Sequence, residues 1–143
     1  MNSTAAIFAR LNGSQAIIDR LDIFEGRAAI FNDRAPDDFV FSTKAALVIA
    51  APAADTDAST FSETIRDVTQ DVRLYARDTG STADIDALGR DIRDLFHLQA
   101  SEIEVIGGSC NIATATGPVA APTTDPALIG RRVTLRLQLK KDL

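Results

Sequence analysis

Between residues 66 and 77, apolar and polar positions alternate. Val68, Gln70, Val72, Leu74 and Ala76 hold one phase, and Asp67, Thr69, Asp71, Arg73 and Tyr75 hold the other. A period of two sends alternate side chains to opposite faces of a sheet, so this segment predicts a long strand with one buried face. Asp78, Thr79 and Gly80 break the pattern. Ile85, Leu88, Ile92, Leu95 and Phe96 then recur at i, i+3, i+7, i+10 and i+11, the single apolar stripe of an amphipathic helix over 81–97. Ser81 is placed to cap that helix, with Asp84 three residues on in the answering position of a capping box.

The same reading extends outward. Val133, Leu135, Leu137 and Leu139 alternate with Arg132, Thr134, Arg136, Gln138 and Lys140, which predicts a closing strand over 133–140 with a basic, polar outer face. Residues 45–51 are unbroken apolar, as expected of a central strand covered on both sides. Ser3 and the apolar side of Ala5, Ile7, Phe8 and Leu11 predict an opening helix that Asn12-Gly13 ends. Ser14 with Ile17, Ile18 and Leu21 predicts a second short turn, and 28–31 a weak strand before a loop at Pro36. Gly107-Gly108 falls between two strand-like segments, 103–105 and 110–116, and suits a hairpin turn. Two segments read as long loops: 52–62, rich in Ala, Asp, Ser and Thr, and 117–126, with three prolines; neither contains Lys or Arg.

At 143 residues, with 45% hydrophobic and 24% charged positions, the chain is expected to form one domain spanning 1–143. No apolar run approaches a membrane span, and Met1 to Arg10 lacks the basic and apolar regions of a secretory signal. Fifteen basic against twenty acidic residues give a net charge of −5, which argues against gripping nucleic acid through its phosphates. Cys110 stands alone and reads as a buried, inert thiol, compatible with a reducing cytoplasm. His97 is the only histidine and lies at a helix end, where a packing role is expected. One histidine and one distant cysteine supply no metal-ligand spacing, and no G-x-S-x-G elbow surrounds any serine. Gly107-Gly108-Ser109 lacks the spacing and lysine of a phosphate loop, and Asp55-x-Asp57 lacks the rest of a calcium loop. The chemistry therefore predicts no catalytic residue, no cofactor and no metal.

The order of these elements resembles the tail terminator (tail-completion) proteins of long-tailed bacteriophages and phage-like gene transfer agents. The resemblance lies in Ala5-Ala6-Ile7-Phe8-Ala9-Arg10-Leu11 as an opening helix and in Gly26-Arg27 through Arg34-Ala35-Pro36 as a short strand running into a loop. It continues in Asp71-Val72-Arg73-Leu74-Tyr75-Ala76-Arg77 as a central strand and Arg132-Val133-Thr134-Leu135-Arg136-Leu137 as the last one, so it spans most of the chain. No single piece is an invariant motif; the ordering carries the likeness.

The resemblance implies an α+β fold, a mostly antiparallel sheet with helices on one face, and a structural rather than enzymatic role. It implies a ring of six subunits at the neck of a siphovirus-like particle, assembled in the bacterial cytoplasm. That ring caps the head-proximal end of the tail tube and stops its polymerisation. Its partners would be copies of itself, the tail tube protein and the head–tail connector or stopper, with DNA passing through without specific binding and no membrane involved. For subunit or tube contacts the chain offers Phe39, Phe41 and Phe61 as exposed apolar anchors and Arg132, Arg136 and Lys140 as a basic strand face. Asp55 and Asp57 are candidates for a negative pore wall or rim. Two other readings compete: a head-completion stopper, which favours a small barrel with little helix, and an unrelated small α+β ligand-binding or enzymatic domain, which needs convergent polar groups in a pocket.

Overall fold

The computed structural model describes residues 1–142. Helix α1 (Ser3–Asn12) and the short α2 (Gln15–Ile18) precede β1 (Ile23–Phe24), β2 (Arg27–Ala28), β3 (Ile30–Asn32), β4 (Ala46–Ile49), β5 (Ala54–Asp57) and β6 (Ile65–Arg77). Helix α3 (Ala83–Phe96), a 3-10 turn (Ala100–Glu102), β7 (Gly108–Ala120) and β8 (Leu128–Lys141) complete the chain. The main sheet runs β3-β4-β6-β8-β7, with β5 pairing on β6 beyond the end of β4; β1 and β2 form a separate ribbon. Among the described strands β3–β4 is the one parallel pair, so the expected α+β architecture with a mostly antiparallel sheet is present. No described helix is long and apolar enough to cross a membrane.

The alternation read from the sequence sets the layers. Val68, Val72, Leu74 and Ala76 of β6 and Val133, Leu135, Leu137 and Leu139 of β8 are buried on one face, together with Leu47 and Ile49 of β4. Helices α1 and α3 cover that face through Ile7, Leu11, Ile85, Leu88, Ile92 and Phe96, all in the same core. Strand β4 is buried along its length because its other face is covered too: Ala46 packs with Ala29 and Phe39 in a second cluster flanked by Phe24, Phe31 and Phe41. Three polar contacts pin the helical layer. Gln70, fully buried, accepts from Ser3 Oγ at 2.7 Å and donates to Thr4 Oγ1 and the Ala50 carbonyl. Arg131, on the helix face of β8, meets Asp86 of α3 at 2.8 Å, and Arg20 pairs with Asp91.

Several local expectations give way. The helix starts at Ala83 with Thr82 as its cap, and no side chain makes the capping bond. Gly80, at φ +86°, absorbs the turn after β6, so Asp84 falls one position short of the capping-box site; Ser81 Oγ only reaches Ala83 N at 3.3 Å. Leu95, at the edge of the apolar stripe, is half-buried, and Arg93, on the polar side, is half-covered because it donates to the Gly117 carbonyl. The 52–62 loop contains β5, whose Ala, Asp and Thr are weak strand formers that β6 pairing holds extended. The first part of the 117–126 loop is also structured: β7 runs through Pro118 to Ala120, with a register shift between Thr116 and Val119 that an edge strand tolerates. Pro118 packs against α3, where a Cβ on Gly89 would fall 2.6 Å from that of Pro118; this contact explains a glycine inside a helix. Residues 103–105 are not a strand; a single bridge joins Val105 to Gly108.

Leu88 is 2% exposed, so Leu88→Asp should destabilise the fold by more than about 3 kcal/mol, because it buries a carboxylate without a partner. Urea unfolding followed by circular dichroism checks this. Asp86 titrates below its ordinary value, chiefly because it accepts a hydrogen bond from the Arg131 guanidinium. A carboxyl whose folded pKa is lowered stabilises the fold above its unfolded pKa and loses that contribution as pH falls through the folded one. The Tm gap between wild type and Asp86→Asn should therefore be fully open at neutral pH and close as pH drops below about 4.

Candidate functional site

The chain's two most reactive side-chain types are committed to structure. His97 follows α3, and its Nδ1 accepts from the Ala115 N–H at 3.1 Å; Leu98 N donates to the Ala113 carbonyl beside it. Together they cover the middle of the free edge of β7, an arrangement that shields a long edge strand from unwanted pairing. His97 here serves as an acceptor for a sheet edge, a structural role of the kind expected of it. Cys110 is buried, and burial pushes its thiol pKa up, the direction opposite to that of a reactive cysteine. Among the described residues, no three His, Cys, Asp or Glu side chains converge to hold a metal.

The uncommitted surface is the sheet face opposite the helices. Along β6 it carries Asp67, Thr69, Asp71, Arg73 and Tyr75, and the paired positions of β8 are Gln138, Arg136, Thr134, Arg132 and Gly130. Thr134 Oγ1 donates to Asp71 at 2.7 Å, and Arg136 approaches Asp67 at 3.7 Å. Lys140 meets Glu63 at 2.8 Å. Of the three basic residues expected on this face, Arg132 alone makes no ion pair among the described residues, and it sits directly across from Arg73, which makes none either. Two like charges on paired positions repel, so this spot gains from any carboxylate or other anion placed over it.

The aromatic candidates divide. Phe39 is not an exposed anchor: it is 9% exposed and stacks edge-to-face with Phe24, Phe31 and Phe41. Phe41 is half-buried against Phe39 and Tyr75. An apolar stretch beside a proline loop gives no phase, and here it folded inward to cover β4. Phe61 is fully exposed. It lies at the two-residue tip, Phe61-Ser62, of a hairpin arm formed by β5 and the start of β6. Residues 51–62 are all exposed, yet the arm is ordered by its own bonds: Ala58 N to Ile65 O, Thr60 N to Glu63 O, and Ile65 N to Ser59 Oγ. Asp55 on this arm pairs with Arg66 at 2.9 Å, so its charge is balanced locally, whereas Asp57, across the ladder from Arg66, accepts from Ser59 N and makes no ion pair among the described residues.

At the other end of the sheet, beside the two arginines, lies a groove of about 300 Å³ lined by Phe41, Arg73, Tyr75, Pro122, Thr123, Thr124 and Leu128. Sequence reading did not find it. Its walls come from the ends of two strands and the β7–β8 turn, so only the pairing of Tyr75 with Gly130 and Arg77 with Leu128 brings them together.

No protein-family model and no curated protein matches this sequence. The fold does have a solved counterpart. A chain in the structure described as "Virion of native gene transfer agent (GTA) particle" superposes with a TM-score of 0.75, over 96% of this chain and 94% of that one, at 13% sequence identity. At that identity the likeness is one of fold, and it extends across nearly the whole length of both chains.

Proposed function

We propose that this protein is a structural virion component, a tail terminator that closes a ring, six-membered by the family resemblance, on the head-proximal end of a tail tube. The observation that carries the reading is the end-to-end fold likeness to a chain of a gene transfer agent virion. The chain's element order, read independently from the sequence, resembles tail terminators of the same class of particle. On this reading residues 1–143 act as one domain, in a phage or gene transfer agent particle. The ring stops tube polymerisation, presents its far side to the head connector or stopper, and performs no chemistry.

The surfaces agree with assembly by unlike contacts. A ring needs two different complementary patches on each subunit, related by a rotation that closes. This chain has an exposed arm at one end of its sheet and a basic, groove-bearing face at the other. The net charge of −5 suits a pore through which DNA slides without adhering. The 14-residue helix α3, packed across β7 and β8, is hard to reconcile with the small, helix-poor barrel of a stopper.

Electron microscopy of the protein mixed with tail tubes purified from cells lacking it tests this reading. Closed rings should sit at one tube end, and tubes assembled in its absence should run over-length. No closed ring, on tubes or off, ends the terminator reading. Added salt and Arg132→Glu should both loosen the ring while the monomer stays folded by circular dichroism, because screening and charge reversal weaken the same attraction. His97→Ala and Cys110→Ser should leave ring formation intact, and His97→Ala should lower Tm modestly by uncovering the β7 edge.

A further inference from the structure

Phe61 has no folding role that its surroundings reveal. It is fully exposed at the tip of an arm whose residues 51–62 bury nothing, and the arm's own hydrogen bonds hold it out from the sheet. A large aromatic in that position presents apolar area to whatever the arm touches. The arm's charges are one-sided. Residues 52–64 contain Asp55, Asp57 and Glu63 and no Lys or Arg. Arg66 bonds Asp55 and Lys140 bonds Glu63, whereas Asp57, with Arg66 across the ladder from it, makes no ion pair among the described residues. Hydrogen bonds from Ser59, side chain and backbone, hold Asp57 below its ordinary pKa, so it stays charged.

The groove at the far end of the sheet has the complementary features. Its apolar walls are Phe41, Tyr75, Pro122 and Leu128, and its volume of about 300 Å³ exceeds the roughly 150 Å³ cavity that accepts a benzene ring. Arg73 lines it, and Arg132 faces Arg73 across the ladder. The nearby acids are already occupied: Asp71 accepts from Thr134 and Asp125 from Ala127 N. Two other grooves offer an acidic arm no net attraction: the one at Phe8, Ile18, Phe24 and Phe31 carries both Glu25 and Arg27, and the one at Ala45, Ala76, Ile85 and Leu88 sets Asp19 and Asp84 against Arg20 and Lys44.

Resting on the ring reading above, we propose that the ring contact is arm into groove. Phe61 of one copy seats between Phe41, Tyr75 and Leu128 of the next, and Asp57 of the arm meets the Arg73–Arg132 pair. The two surfaces cannot meet within one chain. Ile65 at the base of the arm and Tyr75 at the groove are ends of the same strand, separated by roughly 33 Å at about 3.3 Å per residue. The contact is therefore head-to-tail, the kind that propagates around a ring. It places the arm, with Asp55 and Asp57, between subunits rather than bare on the pore wall.

A cysteine pair tests this. In a Cys110→Ser background, Phe61→Cys together with Thr124→Cys should crosslink under mild oxidation, alone at high concentration or on tail tubes. A covalent ladder should form that stops at the ring number, and either cysteine singly should give no ladder beyond a dimer. Phe61→Ser should raise the concentration needed for assembly about tenfold or more. Asp57→Arg and Arg73→Asp should each weaken assembly, and combining them should restore it. Closed rings with no crosslink, formed by Phe61→Ser at the wild-type concentration, would overturn the arm-to-groove contact and leave the terminator reading standing. A crosslinked open filament that never closes would keep the contact and overturn the ring. Wild-type protein that forms neither ring nor filament would remove both.

Discussion

The register between β6 and β8 is the constraint on which the rest depends. Thirteen consecutive pairs run from Ile65↔Lys140 to Arg77↔Leu128 without a shift. Both strands alternate in phase, so Val68 lies beside Leu137, Gln70 beside Leu135 and Val72 beside Val133 under the helices. The complementary set, Asp67, Asp71, Arg73, Arg132 and Arg136, stands on the open face. A slip of one residue would exchange the sets for whichever strand moved, turning charged side chains into the core and leucines into solvent. An unpaired buried charge costs far more than a single ladder hydrogen bond returns. Gln70 adds a second lock. It is the polar member of the buried phase, and its bonds to Ser3, Thr4 and the Ala50 carbonyl fix β6 itself against α1 and the end of β4.

The helical layer follows from the same ladder. Arg131 occupies the helix-face phase of β8 one pair past the last buried valine, opposite Leu74. A cation there needs a partner, and Asp86 in the first turns of α3 supplies it, at a position where the helix dipole also favours an acid. Ile85, Leu88 and Ile92 then lie over the β6, β7 and β8 core, and Gly89 lets Pro118 approach the helix backbone. The chain leaving α3 turns back so that His97 and Leu98 bond the β7 edge. The sheet is thus closed on that side by the helix that it positions.

The sequence shows where one signal dominates. Period two in β6 and β8, the apolar stripe of α3 and the solid apolar run of β4 are each enforced by burial, and all four elements form on those patterns, although α3 begins later than expected and β8 earlier, at Leu128. What was not legible depends on pairing. Strand β5 is composed like a loop and is extended only because β6 offers Arg66 to Thr69 as partners. The start of α3 moved because a glycine turn took up two residues that a capping argument assigns to the helix. Phe39 and Phe41 carried no phase, and whether they faced solvent depended on whether β4 needed a cover on its second face. The groove is invisible for the same reason. Arg73, Tyr75, Pro122 and Leu128 are far apart in sequence, and nothing local marks them as neighbours. Phe61 was legible as an aromatic in an acidic, polar stretch, though its place at a hairpin tip was not.

Folding and assembly are separable in this molecule. The core lies between the sheet and its helices, with the small phenylalanine cluster behind β4, and residues 51–62 contribute no buried side chain to either. The Arg73–Arg132 pair lies on the other side of the sheet from α3, so relieving its repulsion changes the energy of the open face without touching the packed one. A subunit can therefore be fully folded while its contact surfaces are unmet. Binding that favours the assembled form then adds to stability by mass action, and is not required for folding. On the terminator reading proposed above, this separation is what the ring needs. A protein that folded only as a ring would close rings throughout the cell. One that folds alone, with contacts carried by a single exposed aromatic and a few charges, can remain dispersed until a tube end gathers enough copies to close the circle.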